Sequence, residues 1–300
     1  MTPDEGRALV SALRKAKVNR ETVHGSVRVV PVRGRYFFVD APAVVAPGGR
    51  PPMSTQSGTY GFVGGDGVRL LSAILARTSN RRFNRALDLC TGAGLVGITL
   101  AAECASHVDG VDIWEPAIRW ARFNALVNDV PGFSPHLGNL YDPVAGGDPY
   151  DLIVANPSFS MFPPDYMHEH GIREHEVGGG AGLDVVLRVL DGLDERLTRN
   201  GTAFICTATP VINGQDHLAH EITRRYATTG LTFDVRYAPY HHDQEFNAYY
   251  AQLGISGFRF AVAEINRGPT FAIRTRYDFS SYLKQFIRTA VRRSGRGGRL

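Results

Sequence analysis

The chain is short of cysteine, nearly without lysine, and has no long apolar run. Its three cysteines, Cys90, Cys104 and Cys206, are scattered through 300 residues, too few and too far apart for a disulfide framework or a zinc site. No stretch reaches the roughly eighteen apolar residues that cross a bilayer, and the N-terminus lacks the apolar core of a signal peptide. A reducing cytoplasm and no membrane partner are therefore expected. Lysine occurs only at Lys15, Lys17 and Lys284, an arginine bias that reflects base composition rather than binding chemistry. The formal net charge of +4 and the pI of 9.0 suit contact with an anionic partner, and equally an ordinary soluble protein.

What is present is enough for a sizeable core: 43% hydrophobic residues in 300 supply one large α/β domain with modest extensions. Residues 4–20 read as an amphipathic helix, followed by strands at 27–30 and 36–39 around a turn at Arg33-Gly34-Arg35. Residues 43–65, rich in Pro, Gly, Ser and Thr, read as a long loop leading to a helix over 67–77. From Ala86 short apolar strands alternate with helical stretches: strands at 86–89, 108–113 and 152–155, helices at 94–104 and 116–128. Further on come a helix over 182–199, a strand at 202–207, a helix over 217–229 and strands at 232–238 and 258–265, with room for a helix between the last two. Phe246, Tyr249 and Tyr250 are spaced as one packed helix face. This alternation predicts a doubly wound, Rossmann-like sheet of seven strands, mostly parallel, with one late antiparallel strand. The expected organisation is an N-terminal cap and loop over 1–60, the core domain over 61–270, and a helical, basic tail over 271–300.

Gly92-Ala93-Gly94-Leu95-Val96-Gly97 has the G-x-G-x-x-G form between a strand and a helix, where backbone N–H groups and the helix dipole await a ligand. Asp88, four positions before the first glycine, would sit poorly beside a pyrophosphate and well beside the ammonium of a methionine moiety. That argues against a nicotinamide dinucleotide and for S-adenosylmethionine. Asp112, at the end of the second strand, can take both ribose hydroxyls, and Ile113 and Trp114 offer apolar surface to an adenine. Asn139, beside Leu140 after the third strand, stands either where the adenine amino group is received or in a plain turn.

Asp151 to Phe159 places Asn156, Pro157 and Phe159 at the C-terminal end of a buried strand, the edge where catalytic groups belong. The Asn156 side-chain oxygen and the Pro157 carbonyl can accept hydrogen bonds from a substrate NH₂, Pro157 stiffens the turn, and Phe159 can stack on a planar group. Such a site suits in-line methyl transfer to nitrogen, for which orientation and polar acceptors matter more than a strong base.

The run Ala86-Leu87-Asp88-Leu89-Cys90-Thr91-Gly92-Ala93-Gly94, the acid in Val111-Asp112-Ile113, the turn Ala155 to Phe159, and Gly178-Gly179-Gly180-Ala181-Gly182-Leu183-Asp184 resemble the N-P-P-[YF] class I methyltransferases. The likeness covers roughly Phe62 to Thr207 and is closest to the release-factor glutamine N-methyltransferases and the small-domain ribosomal RNA guanine N-methyltransferases. It implies that Cys90, Thr91, Leu140 and Asn156 join the cofactor site and that the acceptor is a planar nitrogen. Ser158 replaces the second proline, Asn139 stands where Asp is usual, and no N-terminal helical bundle is predicted.

Tyr60 and Phe62 are expected either as aromatic walls of the substrate site or as core. His168 and His170, alternating on an extended segment, and His241 are candidate substrate contacts in a lid, with Ser158 in the acceptor pocket; no metal is expected. The leading expectation is N-methylation of a small or medium-sized molecule. A protein side chain or RNA base is the alternative acceptor, and a non-catalytic S-adenosylmethionine-binding protein the alternative class. A homodimer is left open.

Overall fold

The computed structural model describes residues 2–24, 27–40, 64–172, 177–240, 242 and 244–277. Tyr60, Phe62, His241 and the end of the expected tail, 278–300, lie outside these. The chain divides into two compact units, Met1–Cys206 and Thr207–Leu300.

The first unit opens with α1 (Pro3–Lys15), whose Thr2 and Glu5 form a reciprocal capping box. An antiparallel three-stranded sheet follows, β1 (Thr22–His24), β2 (Val27–Val32) and β3 (Arg35–Asp40), in that order. Arg33 and Gly34 make its β2–β3 turn in the left-handed region, and Arg33 and Arg35 both reach Glu103, which holds that carboxyl below its usual range. Next come α2 (Gly65–Arg77), β4 (Phe83–Leu89), α3 (Leu95–Glu103), β5 (Ala105–Asp112), α4 (Glu115–Val127), β6 (Phe133–Leu137) and β7 (Tyr150–Ala155). The strands pair in parallel, β7 beside β4, β4 beside β5, and β5 beside β6; the first half of β8 (Leu197–Ile212) lies parallel on the far side of β7. Residues 95–100 of α3 are all buried, as befits a helix apolar on every side.

The cap is clamped to α4. Val10, Val29, Tyr36, Phe38 and Val127 form a core, with Trp120 and Phe123 packed against it. Asn124 exchanges hydrogen bonds with Phe38 (N–H to Oδ1 2.8 Å, Nδ2 to C=O 3.0 Å), and Asn128 does the same with Tyr36 (3.0 and 2.8 Å). Four residues of helix rise about 6 Å and two residues of strand about 6.6 Å, so an i,i+4 pair of amides matches an i,i+2 pair on a strand edge.

Three local expectations need correction. The helix predicted over 182–199 is two, α6 (Asp184–Asp191) and α7 (Leu193–Arg196). They are divided at Gly192, where a Cβ would lie 2.3 Å from the Tyr141 ring. His168 and His170 are on a short helix, α5 (Pro164–His170), not an extended segment; Pro164 at its first position supplies a helical φ and no wasted donor. In the second unit, residues 272–277 of the expected helical tail form a strand, β12 (Ala272–Tyr277), parallel to β10 (Leu231–Pro239).

Also in that unit, α8 (His217–Tyr226) follows a two-residue strand, β9 (Gln215–Asp216), and β11 (Ile255–Arg267) pairs antiparallel with β10. Between them α9 (Asn247–Gln252) turns Tyr250 into a buried aromatic group with Phe246 and Phe258. With β9 and β12 the sheet has nine strands, not the seven expected; β11 runs antiparallel to β10, and the fold is the mostly parallel, Rossmann-like one.

Candidate active site

The end of β4 turns sharply into α3. Cys90 (φ 56°), Gly92 (φ 53°) and Gly94 (φ 85°) are all left-handed, as is Leu140 (φ 47°), just past β6. Strain of this kind persists where the surroundings over-determine it, and it clusters at ligand sites. The glycines do different things. A Cβ on Gly92 would meet nothing within 4 Å, so that glycine faces open space, whereas one on Gly97 would stand 2.4 Å from the Phe133 ring. Gly92 thus leaves room before the turn, and Gly97 permits close packing behind it.

Asp88 is 1% exposed. Its Oδ2 accepts from Thr91 Oγ1 at 2.6 Å and from Gly97 N–H at 2.8 Å, so it braces the turn from beneath. Burial pushes its carboxyl up to about 7, against the pull of those two donors. Asp112 grips the same turn from β5: Oδ2 accepts from Gly92 N–H and Oδ1 from Trp114 N–H, each at 2.9 Å. Ile113 and Leu137, at adjacent strand ends, are 52% and 50% exposed apolar groups, and Trp114 is half-buried beside them.

Asn139 is half-buried, and its Oδ1 already accepts from Arg188 of α6 at 3.0 Å; an adenine amino group would share that oxygen. The cation's field also bears on the half-buried Cys90 thiol, which desolvation drives well above its usual range.

Beside this turn, β7 ends at Ala155 in register with Leu89 of β4, which places Asn156-Pro157-Ser158-Phe159 next to it. Asn156 is half-buried and Pro157 buried. Gly178, in the Gly178–Asp184 motif, hydrogen-bonds Ser160 O through its N–H at 2.9 Å. A Cβ there would lie 2.7 Å from Phe159 Cα, so that glycine lets the loop lie directly on the N-P-S-F backbone. His168 and His170 follow on α5, with the His170 ring stacked on Tyr166 at 3.9 Å.

Three residues that sequence reasoning did not assign to the site lie within it. Cys206 Sγ donates to Asn156 Oδ1 at 2.8 Å. Asn124 Nδ2 donates to Ala93 O, inside the glycine turn, at 2.9 Å. Asp66, in the first turn of α2, is half-buried, and desolvation raises its carboxyl despite nearby Arg69. The signal for Cys206 was available, since it follows Ile205, the partner of the last residue of β7, on the ligand edge of a parallel sheet.

The turn, the acid after the second strand and the N-P-S-F edge lie on a doubly wound sheet of the class I methyltransferase fold. Residues 55–163 match the methyltransferase small domain family. The chain is 31% identical over 214 residues to the ribosomal protein uL3 glutamine methyltransferase of Bradyrhizobium diazoefficiens, an alignment covering 69% of this chain and 63% of that protein. It is 31% identical over 88 residues to the release factor glutamine methyltransferase of Aliivibrio fischeri, covering 29% and 31%. The chain therefore spans less than two thirds of these relatives. Among solved structures, a T. thermophilus 16S rRNA methyltransferase in complex with AdoMet and guanosine has the same fold, with TM-score 0.50 and 18% identity over 80% of this chain and 50% of that one.

Proposed function

We propose that the protein is an S-adenosylmethionine-dependent N-methyltransferase whose acceptor is the side-chain amide of a glutamine in a protein of the translation apparatus. The observation that carries this reading is the Asn156-Pro157 edge beside the glycine turn, and the glutamine methyltransferases among its relatives direct it to an amide. This replaces the small-molecule acceptor expected from the sequence: the uL3 and release factor enzymes agree with the alternative of a protein side chain.

The residues fit the cofactor. Gly92 leaves open space before the turn, the Asp112 oxygens stand at its mouth for the ribose hydroxyls, and Ile113, Trp114 and Leu140 give the adenine its apolar surroundings. The bound cofactor supplies an electrophilic methyl group on a sulfonium. Asn156 Oδ1 and the Pro157 carbonyl accept the amide N–H groups and turn the nitrogen towards that methyl. As an N–CH₃ bond formed and the S–CH₃ bond broke, its electron pair passing to sulfur to leave S-adenosylhomocysteine, the nitrogen would become positive, and acceptors already aimed at its protons would hold it more tightly than the neutral amide. One N–H proton then leaves to water, and no strong base is required. Ser158, smaller than proline, widens the pocket beside Phe159.

The test is incubation with S-adenosylmethionine and, separately, unmethylated recombinant uL3 and release factor, with tandem mass spectrometry of the products. A single methyl group on a glutamine is expected, with Asp112→Ala weakening cofactor binding and Asn156→Ala lowering turnover about a hundredfold at nearly unchanged cofactor affinity. Methyl incorporation confined to RNA or to small amines would overturn the acceptor.

A further inference from the structure

An asparagine amide has almost the same outline with its oxygen and nitrogen exchanged. Its orientation is therefore set by its partners and not by its shape. For Asn156 this matters, because the reading above needs an acceptor facing the substrate nitrogen; the flipped amide would present two N–H donors to a group that has only donors to offer.

The partners are provided by two elements. Ala155 of β7 pairs with Ile205 of β8, so the next residues, Asn156 and Cys206, emerge side by side, with Sγ 2.8 Å from Oδ1. On the opposite flank is Gly67 of α2, where a Cβ would lie 3.6 Å from Asn156 Nδ2 and 3.2 Å from Leu95 Cδ2. The amide nitrogen thus rests against bare backbone. Cys206 is fully buried, and burial, with Asp66 and Asp88 nearby, raises its thiol far above the usual range. It stays S–H, a donor, and as a thioether-like weak acceptor it offers little to an inward-facing NH₂.

We infer that Cys206 is a positioning residue for methyl transfer: its thiol fixes the rotation of the Asn156 amide, leaving the second lone pair of Oδ1 for the acceptor N–H. This rests on the proposed function, and it assigns a role to the one buried thiol that touches the N-P-S-F turn.

The experiment compares wild type, Cys206→Ala, Cys206→Ser, Asn156→Ala and the Cys206→Ala/Asn156→Ala double variant. Turnover on unmethylated uL3, S-adenosylhomocysteine affinity, and the side-chain amide resonances of protein labelled with ¹⁵N at asparagine are measured for each. Cys206→Ala is expected to lower kcat about tenfold with cofactor Kd and acceptor KM within about twofold, and to shift the Asn156 NH₂ pair. Cys206→Ser, which keeps a donor at that place, restores most of the rate. In the Asn156→Ala background the cysteine substitution costs nothing further, because the group it positions is gone. Full activity of Cys206→Ala, or losses that multiply in the double variant, would overturn the inference. If wild type methylates no acceptor, the functional reading fails on its own, and an Asn156 NH₂ pair unmoved in Cys206→Ala then overturns the positioning role independently.

Discussion

Asp88 holds a carboxyl under the glycine turn with a pKa of about 7, and the sign of its consequences can be worked out. An unfolded aspartate titrates near 3.9, so the folded protein binds this proton more tightly than the unfolded chain. The free protein therefore loses stability as pH rises from about 4 to 7, and above 7 the ionised group is a constant cost. A methionine ammonium placed nearby reverses that penalty, so cofactor binding favours the ionised form and releases a proton. Between pH 6 and 7.5 the affinity for S-adenosylhomocysteine should rise roughly eightfold, following the ionised fraction of a group near 7. Asp88→Asn, which can still accept from Thr91 and Gly97, should flatten that dependence. Calorimetry in buffers of differing ionisation enthalpy measures both affinity and proton release; a flat profile in wild type would mean that Asp88 only braces the turn. The place of Asp88 beside the glycine turn was legible because an acid four places before such a turn has few purposes. Its contacts with Thr91 and Gly97 were not, since they depend on how tightly α3 descends onto β4, which Gly97 and Phe133 decide together.

Among the elements, α4 does two jobs with one face. Asn124 and Asn128 clamp the edge of β3, but only Asn124 also reaches the glycine turn, at Ala93 O. Each amide lost leaves backbone groups of Tyr36 or Phe38 unpaired at about 1–3 kcal/mol apiece, so both alanine variants should lower the melting temperature, Asn124→Ala further because Asn124 is fully buried. Cofactor affinity separates them. Asn124→Ala should weaken S-adenosylhomocysteine binding about tenfold, a loss of one held carbonyl, whereas Asn128→Ala should leave it unchanged at a temperature where both are folded. Equal affinities would make the contact with Ala93 incidental. The helix itself and the alternating strands were readable from hydrophobic periodicity and glycine placement. The clamp was not, because two polar residues at i,i+4 look like any solvated helix face until a strand edge lies beside them. In the same way the division at Gly192 and the helix carrying His168 and His170 were decided by what packs there, the Tyr141 ring in one case and a proline at the helix start in the other.

For the whole molecule the charge is unevenly divided. Residues 207–300 carry thirteen Lys and Arg against seven Asp and Glu, whereas residues 1–206 carry twenty against twenty-two. A basic segment of this kind bears on the acceptor, because RNA and protein respond to it differently. An RNA acceptor engaged through six to ten phosphates releases condensed counterions and loses about 10³–10⁵ in affinity between 50 and 200 mM salt. A glutamine on a protein surface meets scattered charges of both signs, which are screened beyond about 8–10 Å and bring no condensed layer to release. With unmethylated uL3 as acceptor, KM should therefore change by less than about threefold over that range, mostly through the encounter rate, while kcat stays constant. On the proposed reading the Asn156-Pro157 edge contacts only the amide, so the remaining selectivity would come from surfaces that salt moves weakly. A KM that climbs a hundredfold or more would show that the basic segment tracks a phosphate backbone, and the acceptor would then be sought in the ribosome's RNA instead of its proteins.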